Sequence, residues 1–569
     1  MSFTRAFLFF LIIGLWGNQT QAQNSEWWKH TSIYQIYPRS YKDSDGDGIG
    51  DLKGIISKLD YIKALGVETI WFSPFYQSPQ GDFGYDISDY RHADEDYGSN
   101  QDIDALIEAV HDRGMKIVFD LVLNHTSIEH KWFKESSSSR DNPKSDWYIW
   151  SDGQGKKPPN NWINVFNKDA WHYMPERDQW YYTAFLDFQP DLNWRNPEVK
   201  EAMFDIVRYW LGKGVDGFRL DIFNCIMEDE NLSDNPFKFK ILPSKDAMKA
   251  RFQEKTNNIN HPDNIALAKE LRAVIDEFEN PERFLVGEAI GPPTAIKPLL
   301  GDNQDGLNLV FLFDMVYFDF KAGFFRDLIT EFEEDFPEPL MPTIVFGNHD
   351  QFRSMKRLDN SIEKAKLLAL FQMTLRGVPV VYYGEEIGMQ NADIKKKDAL
   401  DPISHVFKGL PQFLRNWLPV PVNRDVCRTP MQWDTTAHAG FTTENAQPWL
   451  PISDGAEVRN VAVQNAEENS LLNTYRELLD LRNSTDAFSK GSMSVVGKKE
   501  FPENLLAYYR EFEGEKYLIL LNFSKKTQSI ELGGETYKMI YGIGQEDAIK
   551  GKQANISGLG GLVLKIEEH

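Results

Sequence analysis

The sequence predicts an α/β fold of the (β/α)8 TIM-barrel type, interrupted after its third strand and followed by an all-β domain. Three observations point there. Eight short apolar runs of β type alternate with helical patterns between residues 32 and 388, and strand alternating with helix implies parallel strands. The runs are nearly continuous in hydrophobicity, as strands buried on both faces are. No Gly-rich dinucleotide fingerprint follows the first run, which favours a closed barrel over an open doubly wound sheet.

The elements follow in order. Arg5 precedes the apolar run 6–17, which is shorter than the roughly 20 residues a spanning helix needs. Thr20 and Ala22 supply small residues ahead of a cut before Gln23. Residues 1–22 therefore read as a secretory signal peptide. The protein is expected to be exported, to a periplasm or the medium, with no stable membrane insertion after signal removal. The strand runs are residues 32–41, 67–76, 116–125, 215–223, 283–290, 307–315, 342–350 and 377–388. Helical patterns with apolar residues three and four apart fill 52–66, 101–114, 196–214, 264–279 and 361–377, several ending in Gly.

Two stretches break the alternation. Residues 126–194 are rich in Trp, Asn, Asp, Ser and Pro and too long for an ordinary connection, so they are expected to form a small inserted domain over the barrel mouth. The barrel then occupies 23–125 and 195–484, ending in a last helix at 469–485. Short β runs at 505–514, 515–524, 528–534 and 560–568 make 485–569 a separate β domain, expected to be a sandwich.

Composition limits the function. The 569 residues are 41% hydrophobic and 13% aromatic, enough for a large core. A net charge of −23 without a basic cluster disfavours nucleic acid and anionic membranes. Small neutral ligands such as sugars fit better. Cys225 and Cys427 are the only cysteines, too few for a disulfide framework, and they pair or stay free.

The chemistry lies in three acids at strand ends: Asp221, Glu288 and Asp350. A parallel barrel exposes its strand ends on the active-site face, so these side chains can converge. Retaining glycosidases need a carboxylate nucleophile and a carboxylic acid about 5 to 5.5 Å apart. Asp221 lies two residues after Arg219, so both face inward, and the guanidinium is expected to keep Asp221 ionised for nucleophilic attack. Glu288 follows Leu285, Val286 and Gly287, a setting that raises its pKa and suits a proton donor. Asp350, after Asn348 and His349, would bear on ring hydroxyls and on the positive charge of the transition state.

A further acidic loop runs from Asp43 to Asp51 with acids at every second position, hard oxygens that can surround Ca²⁺. It begins like an EF-hand, but the twelfth position is Gly54 and no helix precedes it, so that reading fails.

DLVLNH, QPDLNW, GFRLDI, VGEA and FGNHD, in that order, resemble the signature regions of the α-amylase superfamily, glycoside hydrolase family 13. The resemblance extends from about Trp28 to the C-terminus. It implies the barrel, an inserted domain B and a terminal domain C. QPDLN at Gln189 to Asn193, with RDVCRTPMQWD, is similar to the oligo-1,6-glucosidase and α-glucosidase branch. By resemblance Asp221 is the nucleophile, Glu288 the general acid/base and Asp350 the transition-state stabiliser. Tyr85, Asp120, His125, Arg219 and His349 look like ligands of the non-reducing glucose, and Asp82 with Arg424 like the pair that closes the pocket of exo-acting members. The resemblance also implies a structural Ca²⁺ held by Asp43, Asp45, Asp47, the Ile49 carbonyl and Asp51, with no organic cofactor. Ile222, next to the nucleophile, stands where Val resembles α-1,6-cleaving members and Thr or Ala maltose-cleaving ones. Phe352 and Glu385 depart from the branch pattern, where Pro and Asp are frequent.

The expectation is thus an exo-α-glucosidase acting with retention on small oligosaccharides and leaning to α-1,6 linkages. A transglycosylating relative of the sucrose isomerase or trehalose synthase type is the alternative. A non-catalytic carbohydrate-binding or transporter-accessory protein is the third reading, set against by the presence of all three acids.

Overall fold

A computed structural model describes residues 26–239, 253–278, 280–407, 409 and 421–567. The signal-peptide reading of residues 1–22 lies outside the described residues, within which no helix is long and apolar enough to cross a membrane.

Eight parallel strands form one sheet: β1 (Ile33–Ile36), β2 (Thr69–Phe72), β3 (Lys116–Leu121), β4 (Gly217–Leu220), β5 (Phe284–Gly287), β6 (Leu309–Val310), β7 (Thr343–Val345) and β8 (Val378–Tyr382). Their order is β6-β5-β4-β3-β2-β1-β8-β7, a barrel in which each strand but one pair lies beside its sequence neighbour. Between β6 and β7 a side chain bridges the ring. Thr343 Oγ1 accepts the Leu312 N–H and donates to the Val310 carbonyl, both at 3.0 Å.

Alternation along each strand sorts the side chains. Ile33, Val118, Phe284, Val286, Leu309, Val345, Val378 and Val380 pack inside the barrel with Trp28 and Trp71. Tyr34, Ile70, Ile117, Phe119, Leu285 and Ile344 face outward into the larger core shared with the helices. The inward rows rise in steps of two from apolar to polar: Val118 to Asp120, Gly217 to Arg219 and Asp221, Val286 to Glu288. Register completes the arrangement, since Asp120 and Val286 both pair with Arg219 across the ladders. Gly217 is fixed by space: a Cβ there would stand 2.4 Å from the Phe284 carbonyl oxygen.

Several helices start at side-chain caps. Ser99 and Asp102 form a capping box on Asn100–Asp112, and Asn196 caps Pro197–Gly212 with Pro at its first turn. Two expectations change. The run 307–315 pairs as a strand only at Leu309–Val310 and then turns into a 3₁₀ segment, Phe313–Tyr317. A helix not read from the sequence, Ala322–Asp335, follows it and buries Phe325, Leu328, Ile329 and Phe332.

The excursion after β3 contains a three-stranded antiparallel sheet of Trp150–Ser151, Trp171–Met174 and Gln179–Tyr182 around Trp162, Trp171 and Tyr182. Its two ends meet, because His125 bridges to Asp191 and Asn124 Nδ2 donates to Asp191 Oδ2 at 2.9 Å. The C-terminal part has a five-stranded and a three-stranded sheet. Leu505, Ala507, Leu518, Leu520, Leu562 and Leu564 face the smaller sheet. The intervening Leu506, Tyr508, Ile519, Leu521 and Val563 join the barrel's helical core. Both faces of the large sheet are thus buried. Cys225 and Cys427 are both free and buried.

Candidate active site

The barrel's polar top layer is organised by Arg219, which has no exposed surface. Its Nη1 donates to Asp120 Oδ1 at 2.8 Å and to Asp221 Oδ1 at 2.7 Å, and its Nη2 donates to Glu288 Oε2. One guanidinium therefore gathers acids from three consecutive strands, as the strand-end positions require. Trp71 Nε1 and the Tyr85 hydroxyl donate to Asp120 Oδ2 at 3.2 and 3.1 Å. The Tyr85 hydroxyl is also 2.5 Å from His349 Nε2. Gln35 Nε2 lies 2.7 Å from His349 Nδ1 on its other side.

Asp350 belongs to a second centre. Its Oδ1 accepts from Arg428 Nη2 at 2.7 Å and from Arg424 Nη1 at 3.2 Å. Arg424 Nη2 reaches Asp82 and, at 2.8 Å, Asp401 Oδ1. Gln189, from the end of the insertion, donates to Asp82 Oδ2 at 3.2 Å. Asp82 and Arg424 are only 3% and 6% exposed, so theirs is a buried pair and not a surface ion pair.

Burial dominates the protonation of these acids. It pushes Glu288 up to about 8, Asp221 up to about 7 and Asp120 up to about 6, against the opposing pull of Arg219. The expectation that Arg219 alone keeps Asp221 ionised is corrected here: the guanidinium is divided among three carboxylates. The Asp221 carboxylate adds to the upward push on Glu288. At Asp350 burial acts upward too, but His349, Arg424, Arg428 and Arg219 outweigh it and hold the group well below the usual carboxylate range. His125 is driven down to about 3 by burial and is neutral. Its Nε2 is buried without a hydrogen-bond partner, open to a ligand hydroxyl.

Ile222 follows Asp221 at φ 36°, a left-handed conformation costing a β-branched residue about 1–3 kcal/mol. The turn aims its N–H at Glu288 Oε2, 3.3 Å away, while Phe223 N–H donates to the Glu288 carbonyl at 2.8 Å. The Ile222 side chain is buried against Cys225, Ile259 and Phe185. A cleft beside the acids is lined by Glu288, Leu312, Phe313, Tyr317, Asn348 and Asp350.

Of the eleven catalytic and sugar-binding candidates, Tyr85, Asp120, Arg219, Asp221, Glu288 and His349 are joined through the contacts around Arg219, and Asp82, Asp350 and Arg424 through those around Arg424. Ile222 contributes packing and its backbone, and His125 an unpartnered Nε2. In the acidic loop, carboxylate oxygens of Asp43, Asp45 and Asp51 lie within 4.8 Å of one another, a spacing and donor set that fit a hard cation with Ca²⁺–oxygen distances of about 2.3–2.6 Å. Asp47 is not part of that trio, and its Oδ1 accepts the Ile49 N–H at 2.7 Å. The sequence reading missed Asp401 and Arg428. Arg428 stood in the quoted RDVCRTPMQWD motif four residues after Arg424, whereas Asp401 had no local signal.

The alpha-amylase catalytic-domain model matches residues 35–491. An oligo-1,6-glucosidase of Heyndrickxia coagulans is 38% identical, covering 91% of this chain and 96% of its own. An alpha-glucosidase of Candida albicans is 37% identical over 90% and 95%. Among solved structures, the alpha-glucosyl transfer enzyme XgtA aligns with a TM-score of 0.86 and 36% identity, over 95% of this chain and 99% of that one. The trehalulose synthase MutB of Pseudomonas mesoacidophila MX-45 aligns at 0.85 and 31%, over 95% and 99%. With three acids gathered at the strand ends of the barrel and these likenesses along nearly the whole chain, the protein belongs to the alpha-amylase family and is a glycoside hydrolase.

Proposed function

We propose that this protein is an exported, retaining exo-α-glucosidase that removes glucose from the non-reducing end of short oligosaccharides, with a lean toward α-1,6 linkages. The observation that carries the reading is the buried Asp82–Arg424 pair beside Asp350, which would close the pocket beyond the terminal glucose, as the family resemblance implies, and keep a chain from threading through. Names of similar proteins support it. Glu288, protonated near neutrality, gives its proton to the leaving oxygen as ionised Asp221 attacks the anomeric carbon. Glu288, now a base, takes a proton from water, which hydrolyses the glycosyl ester with overall retention. Asp350, charged throughout, stabilises the oxocarbenium-like transition state.

A second reading, transfer of the glucosyl group to a sugar hydroxyl, is favoured by the similarity to XgtA and MutB. The two readings differ only in the acceptor. We also propose that the acidic loop holds one structural Ca²⁺ through Asp43, Asp45 and Asp51. That ion would brace the loop and take no part in bond cleavage. Residues 1–22 would direct export.

The test is product analysis on maltose, isomaltose, sucrose, trehalose and panose, with the anomer followed by NMR. Free glucose released first as the α-anomer is expected, with higher kcat/KM on isomaltose than on maltose. Ile222→Thr should move that ratio toward maltose by about tenfold, the worth of a methylene-scale change in a pocket. Initial β-glucose would refute retention. A tenfold preference for maltose unmoved by the substitution would remove the linkage assignment.

A further inference from the structure

Asp401 lies in the segment after β8, and nothing in its surroundings makes it a sugar ligand. It is fully buried and caps the short helix Pro402–Val406, its Oδ1 accepting the Ile403 N–H at 3.1 Å. The same carboxylate grips Arg424 at three points. Oδ2 accepts the Arg424 backbone N–H at 2.5 Å, and Oδ1 accepts Nε at 3.1 Å and Nη2 at 2.8 Å. The grip is reciprocal: the backbone N–H groups of Leu400 and Asp401 donate to Asp425 Oδ2 at 2.7 and 3.1 Å. Residues 400–401 and 424–425 therefore clasp each other.

We infer that Asp401 is a positioning residue for the closed end of the glucose pocket, acting only through Arg424. The inference rests on the glucosidase reading and deepens it. A guanidinium is a planar fork whose use depends on which edge is occupied. Asp401 takes the Nε/Nη2 edge, which leaves Nη2 shared with Asp82 and Nη1 at 3.2 Å from Asp350. Without the charge on Asp401, a buried cation has lost one of three carboxylates, and the remaining acceptors are Asp82 and Asp350 themselves. Arg424 then turns onto Asp350 and occupies a carboxylate that the sugar hydroxyls need. Asp401 thus keeps Asp350 available by keeping Arg424 occupied.

The test compares wild type, Asp401→Asn, Arg424→Ala and the double variant, with KM and kcat measured on p-nitrophenyl α-glucoside and the dissociation constant of 1-deoxynojirimycin measured by calorimetry. Asp401→Asn is expected to raise KM and weaken 1-deoxynojirimycin about tenfold or more, and to lower kcat as well, because the Asp350 that Arg424 then occupies also serves the transition state. In the Arg424→Ala background the same substitution should change either quantity by less than about twofold, since the two side chains act as one unit. Equal effects in both backgrounds would overturn the inference, as would wild-type KM and inhibitor affinity in Asp401→Asn. If the Asn variant does not fold, Asp401→Glu keeps the charge one methylene away, and a wild-type inhibitor affinity there would count against the required geometry. A wild-type protein that binds 1-deoxynojirimycin but cleaves no α-glucoside would sink the glucosidase reading while leaving the effect of Asp401 on affinity measurable.

Discussion

Two buried arginines in this pocket each hold three carboxylates, and they do so to opposite effect. Around Arg219, burial wins: Asp120, Asp221 and Glu288 are all pushed up, to about 6, 7 and 8. Around Arg424, Asp350 and Asp401 are driven down in spite of burial, while Asp82 is raised by it. The difference lies in the neighbours: against burial, Asp350 has His349, Arg424, Arg428 and Arg219, and Asp401 has Arg424 and Arg428, whereas at Asp82 burial outweighs the same two arginines. Arg219 is alone with its three acids, whereas Arg428 stands beside Arg424 and donates to Asp350 at 2.7 Å. One side of the pocket is therefore built to hold and release protons, and the other to present fixed charge. On the proposed mechanism, the acids around Arg219 would handle protons while Asp350, held down by His349, Arg424, Arg428 and Arg219, would present fixed charge.

The sharpest way to break this contrast is to remove one acid from each side. Asp221→Asn should lower kcat by about 10⁴-fold or more with the circular dichroism spectrum unchanged, because no other group can form the ester. Asp82→Asn, on the charged side, should act mainly on KM, by about 10- to 100-fold on maltose and isomaltose. Equal losses of kcat in both variants would erase the division of labour.

The pH profile tests the same contrast. On the proposed mechanism turnover needs Asp221 ionised and Glu288 protonated, so kcat/KM should be bell-shaped, with an acid limb near 7 and an alkaline limb near 8 that belong to the coupled pair. Glu288→Gln, assayed on an aryl glucoside whose leaving group needs no proton, should keep part of its activity and lose the alkaline limb. Stability follows with its own sign. The acids around Arg219 have folded values above their unfolded ones, so their contribution is complete below about pH 4 and is lost as pH rises through 6 to 8. The lowered Asp350 and Asp401 contribute above their unfolded values and lose that contribution as pH falls. Melting temperature should therefore decline between about pH 4 and about pH 8 and lose nothing more from these groups above that range, and Glu288→Gln should flatten that decline.

The smallest expected effect lies outside the pocket. Excess chelator should lower the melting temperature by a few degrees, about 1 kcal/mol or more by mass action, and leave kcat unaltered. An unchanged melt with no metal found by elemental analysis would remove calcium from the acidic loop, while a loss of kcat would tie that loop to the pocket.

Residues along one strand were legible without any structure. The spacing of Arg219 and Asp221 already placed both on the inner face, and apolar runs ending in acids at 221, 288 and 350 already implied a shared strand-end surface, since side-chain direction in a strand has period two. The alternation of runs and helices likewise determined the barrel, and the cysteine count excluded a disulfide scaffold. The run at 307–315 was read as a longer strand than Leu309–Val310 because a continuous apolar run does not show where pairing stops, and the helix Ala322–Asp335 was passed over although Ala322, Phe325, Leu328, Ile329 and Phe332 stand at helical spacing. Tertiary structure alone decided the rest. That Arg219 serves three acids, that Arg424 and Arg428 both meet Asp350, and that Asp401 locks Arg424 depend on contacts between residues 23 to 99 positions apart in the chain. Charge sharing and desolvation depend on how many groups meet in one small volume, and the linear order of a chain does not record that.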